Sequence, residues 1–75
     1  IVEQAGVVNQ WATLIHPTAH VEPTAIIGQG SMVGVRAVVM PYAKIGMHTI
    51  INSNTVIEHE NQIGDYVHIA PGCIL

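Results

Sequence analysis

At 75 residues the chain holds one small domain at most, too short for a large core. Its 49% hydrophobic and 9% charged content excludes disorder, and with no Phe, one Trp and two Tyr any core must be aliphatic. A net charge of −3, with Arg36 and Lys44 as the basic side chains, argues against nucleic acid or an anionic membrane as partner.

No apolar run is long enough for a transmembrane helix, and no charged n-region precedes one, so no signal peptide is predicted. The single cysteine, Cys73, rules out an internal disulfide and fits a reducing, cytoplasmic setting. The chain opens at Ile1 and stops at Leu75 in mid-pattern, as a piece of a longer protein would.

Residues 1–14, IVEQAGVVNQWATL, follow no register; Gly6 and Asn9 suggest a turn, and we expect a linker or the tail of a preceding domain. From Ile15 a period of six takes over: Ile15, Val21, Ile27, Val33, Val39, Ile45, Ile51, Ile57, Ile63, Ile69, Leu75. Ile, Val and Leu fill 23 of 75 positions, so this run by chance has odds on the order of one in 10^5. Four residues beyond each anchor stands a small or modest side chain: Ala19, Ala25, Ser31, Ala37, Ala43, Thr49, Thr55, Asn61, Val67 and Cys73. Gly28, Gly34, Gly46 and Gly64 directly follow an anchor.

An amphipathic helix repeats its apolar stripe at three and four, so it cannot produce this pattern. A short strand and a tight turn can, with one large and one small side chain inward per unit. Three units close a triangular coil, and coils stack about 4.8 Å apart through parallel backbone hydrogen bonds. Over 15–75 we therefore expect an all-β parallel β-helix of about three coils. Gly28, Gly46 and Gly64 then share a column, where the backbone either turns with positive φ or packs closely.

In the first coil His16 and His20, flanked by Pro17 and Pro23, read as surface or cap residues. The run from Gly28 to Val33 lacks the last glycine of a dinucleotide fingerprint, and its glycines belong to the repeat. Met32, Met40 and Met47 are scattered, and His48 shares a turn column with Gly30 and Tyr66. In the third coil the column Pro23, Pro41 continues as His59, outward by register and bracketed by Glu58 and Glu60. A carboxylate beside an imidazole can fix its tautomer and raise its basicity, as a general base requires. The residues alone leave a base and an exposed polar pair both open. A zinc-protease helix is excluded, because the second histidine is missing and the period is not helical. Cys73, on the inward small-residue column, reads as a buried, inert thiol.

The run from Ile51 to Gly72, INSNTVIEHENQIGDYVHIAPG, resembles the signature of acetyltransferases of the sialic-acid O-acetyltransferase and bacillosamine-pathway sugar N-acetyltransferase type. Ala12 to Ala19, ATLIHPTA, is similar to the start of their β-helix, so the resemblance covers about residues 12–75. The Ile-Glu-His-Glu and Val-His-Ile-Ala-Pro-Gly segments carry more of it than the hexads, which many acyltransferases share. The resemblance implies a left-handed β-helix, against the usual right-handed crossover. It implies acetyl-CoA as co-substrate, no metal, and a small-molecule sugar as acceptor. The residue matching His59 is the family's general base, the one matching Glu60 polarises it, and those matching Asn52 and His68 line the acetyl-donor side. Asn61 departs from the small residue usual at its position, which questions local packing. Residues 1–14 would then trail an absent substrate-binding domain, and 15–75 would be a truncated acetyltransferase domain needing later coils for a complete acetyl-CoA site.

His59 and His68 are nine residues apart, half a coil, which places them on the order of 15 Å apart across one prism. If both serve one site, it lies between subunits, and a homotrimer supplies such an interface. Two alternatives stand beside the enzyme. One is a γ-class carbonic anhydrase-like metalloenzyme, disfavoured because His16 and His20 are four apart rather than five. The other is a non-catalytic trimerising β-helix.

Overall fold

A computed structural model describes residues 12–75. Ten two-residue strands follow one another: β1 Leu14–Ile15, β2 His20–Val21, β3 Ile26–Ile27, β4 Met32–Val33, β5 Val38–Val39, β6 Lys44–Ile45, β7 Ile50–Ile51, β8 Val56–Ile57, β9 Gln62–Ile63 and β10 His68–Ile69. Each of β1 to β7 pairs in parallel with the strand three further on, Ile15 opposite Val33 and Val33 opposite Ile51, so the predicted eighteen-residue coil is real. Three sheets result: face A from β1, β4, β7 and β10, face B from β2, β5 and β8, and face C from β3, β6 and β9. The solenoid is a left-handed parallel β-helix. The expected linker falls mainly on residues 1–11, outside the described residues; β1 begins at Leu14.

Each hexad works the same way. The second strand residue points inward, the next four turn the corner, and the small residue points inward again. Val33, Val39, Ile45, Ile51, Ile57 and Ile69 are buried with Ala37 and Ala43 between them. Ile15 and Leu75, also anchors by period, are 46% and 42% exposed, because only one neighbouring coil covers them among the described residues. Ser31, Thr49 and Thr55 are fully buried at the small position, and their hydroxyls are satisfied across the coil. Ser31 Oγ donates to the Gly46 carbonyl at 2.6 Å, Thr49 Oγ1 to Gly64 at 2.7 Å and Thr55 Oγ1 to Ala70 at 3.1 Å.

From Ile27 onward the corners depend on a left-handed residue three beyond the anchor. From Gly30 to Gly72 every such position has positive φ: Gly30, Arg36, Tyr42, His48, Asn54, Glu60, Tyr66 and Gly72. The N–H groups of His48, Asn54, Glu60, Tyr66 and Gly72 donate to carbonyls of the coil below, as in Glu60 N–H to the Pro41 carbonyl at 3.1 Å. Two earlier corners use threonine instead: Arg36 N–H donates to Thr18 Oγ1 and Tyr42 N–H to Thr24 Oγ1. Gly28 and Gly46 therefore answer to close packing and not to φ. A Cβ on Gly28 would lie 2.5 Å from the Gly46 carbonyl.

Candidate functional site

Glu58–Asn61 form the corner between β8 on face B and β9 on face C. Below them, Pro41 and Tyr42 turn the same corner between β5 and β6, and Pro23 and Thr24 do so between β2 and β3. Proline suits this column because its fixed φ precedes the left-handed residue and no N–H is required of it. His59 takes the proline position, and Glu60 takes the left-handed one at φ 62°. The corner is braced from within: Asn61 Nδ2 donates to the Glu58 carbonyl at 3.2 Å and to the Leu75 carbonyl at 2.9 Å. The departure at Asn61 thus fastens the turn; an alanine or serine there would not reach Leu75.

His59 Nδ1 stands 3.4 Å from Glu60 Oε1, with side chains 67% and 73% exposed. The carboxylate addresses one ring nitrogen, leaving Nε2 without a protein partner among the described residues. This arrangement favours the tautomer with the proton on Nδ1 and a proton-accepting Nε2 facing solvent. The separation is longer than a tight hydrogen bond.

Asn52 and His68 meet elsewhere. His68 projects from β10 on face A, above Leu14, Met32 and Ile50, and Asn52 opens the corner from β7 to β8. Asn52 Oδ1 accepts the Ser53 N–H at 3.0 Å, which fixes the amide so that Nδ2 faces His68 Nε2 at 3.1 Å. In the neutral ring Nε2 is then the acceptor, and the proton sits on Nδ1, ready to donate. The pair lines an open depression of about 250 Å³ with Ala70 and Pro71. Ala70 and Pro71 carry no polar side chain, so the sequence offered no chemical signal for them.

The structure thus brings together His59 with Glu60, and Asn52 with His68, but it keeps the two pairs on different edges of the prism. His16 and His20 have local partners: His16 Nδ1 meets Thr18 Oγ1 at 2.9 Å, and His20 Nε2 meets Glu22 Oε2 at 2.6 Å. His48 stacks on Tyr66, with ring centroids 5.3 Å apart. Cys73 is half-buried on the inward column, packed against the core.

Residues 24–59 match the family model described as bacterial transferase hexapeptide (six repeats). The chain is also similar to a solved structure, the acetyltransferase domain of PglB from Neisseria gonorrhoeae FA1090, with 40% sequence identity and a TM-score of 0.85. That likeness covers 87% of this chain and 32% of the other, so the chain spans about a third of the structure it matches.

Proposed function

For this hexapeptide-repeat chain we propose an acetyl-CoA-dependent acetyltransferase acting on a sugar, either the amine of a nucleotide-linked 4-amino sugar or a hydroxyl of sialic acid. The observation that carries it is the His59–Glu60 pair, set where the repeat elsewhere places proline. Likeness to an acetyltransferase domain supports the donor. We place the protein in the cytoplasm, where acetyl-CoA is available.

In this mechanism Glu60 holds His59, and Nε2 takes the proton of the acceptor as it attacks the thioester carbonyl. The new N–C or O–C bond forms as the C–S bond breaks, and the proton passes from His59 to the departing thiolate. His68, donating through Nδ1 and set by Asn52, stabilises charge on the acetyl oxygen. Among the described residues none is placed to carry the acetyl group covalently, which favours direct transfer. Because the two pairs occupy different edges, the site combines His59 of one subunit with His68 of the next, in a homotrimer.

The test is acetyl transfer from acetyl-CoA to a panel of UDP-linked 4-amino sugars and sialic acid. His59→Ala should lower kcat about 10²–10⁴-fold while the circular dichroism spectrum stays unchanged. Near-wild-type turnover in that variant would sink the assignment.

A further inference from the structure

From Gly30 to Gly72 every corner is left-handed, and a side chain with a Cβ is strained there relative to glycine. Gly30 and Gly72 avoid the strain, and Asn54 is a residue type that tolerates it. Arg36 has a tie that repays its position, Nε donating to Asn54 Oδ1 at 3.2 Å. His48 and Tyr66 stack on each other, and Glu60 faces His59. Tyr42 has no such reason. It turns at φ 63° and is 63% exposed. Among the described residues its hydroxyl has no hydrogen-bond partner and its ring no aromatic one.

Its place supplies the reason. Tyr42 is the residue directly beneath Glu60 at the same corner, one strand spacing away, about 4.8 Å. The two turns are tied by the hydrogen bond from Glu60 N–H to the Pro41 carbonyl, and Thr24 Oγ1 holds Tyr42 from below. An acceptor atom in hydrogen-bond reach of His59 carries the rest of its ring within about 5 Å, the reach of one coil.

Resting on the acetyltransferase function above, we propose that Tyr42 is a specificity-determining residue that stacks its ring on the pyranose of the acceptor sugar. The C–H face of a pyranose is apolar with slightly positive hydrogens, complementary to the negative face of an aromatic ring. An uncharged platform also receives an amine or a hydroxyl equally, leaving chemistry to His59. The competing occupant is the thin pantetheine arm of the donor.

Steady-state kinetics on the whole chain, with acetyl-CoA and the same sugar panel, is read beside calorimetric binding of each acceptor. Tyr42→Ala should raise acceptor KM and Kd about tenfold, with kcat within about threefold and acetyl-CoA KM unchanged. Tyr42→Phe, which keeps the ring, should retain wild-type values. An unchanged acceptor KM and Kd, a rise in acetyl-CoA KM instead, or Phe as damaging as Ala overturns the role. Wild-type rate in His59→Ala overturns the base assignment alone, since acceptor binding to Tyr42→Ala is still read by calorimetry. Failure of every panel sugar to bind the wild-type chain overturns both.

Discussion

His59 and Glu60 sit on a turn that the scaffold would build more comfortably from Pro and Gly. Glu60 adopts φ 62°, a region that costs an L-residue roughly 1–2 kcal/mol, and its exposed contact with His59 returns little of that. Arg36, Tyr42, His48, Asn54 and Tyr66 turn their corners at similar φ, so the His59–Glu60 pairing and not the strain singles this corner out. Glu60→Gly should therefore raise stability, by about 0.5 kcal/mol or more, while lowering transfer activity. A thermal melt paired with a rate measurement checks this, and a stability loss with full activity would make the pair structural. The sequence exposed His59 because it broke a proline column, a signal independent of any relative. The tautomer of His68 was not legible, since it depends on Ser53 N–H capturing one end of the Asn52 amide. Tyr42 was equally hidden: its strain is visible only once φ is known.

At the scale of the hexad, six-residue spacing of the anchors was enough to predict strand, turn and coil, because only a short strand with a tight corner repeats at that period. What it could not settle is which position turns. The glycine column follows the anchor, yet the positive φ lies two residues later, at Gly30, His48 and Tyr66. Gly28 and Gly46 answer to the coil that follows them: a Cβ on Gly46 would lie 2.6 Å from the Gly64 carbonyl carbon and 2.7 Å from Asp65 N. Gly46→Ala should destabilise by about 1–3 kcal/mol, as backbone must move to admit it. An unchanged melting temperature in that variant would remove close packing as the reason for the column.

At the largest scale, the prism separates the two candidate pairs by construction. Glu58–Asn61 turn from face B to face C, while His68 stands on face A, so no rotamer change within one chain unites them. A trimer in which face A of one chain approaches the B–C corner of the next does unite them, with one site per interface. Each interface then needs His59 from one side only and His68 from the other only. His59→Ala and His68→Ala should each be inactive alone, the second by about 10²–10³-fold for loss of a carbonyl donor. Mixed, unfolded and refolded together in equal amounts, they should recover about a quarter of wild-type activity, because a quarter of randomly formed interfaces draws both intact residues. Sedimentation of the mixture should report three times the monomer mass. A site built within one chain predicts that the mixture stays as inactive as its parts, and that outcome would remove the shared interface while leaving His59 as the base.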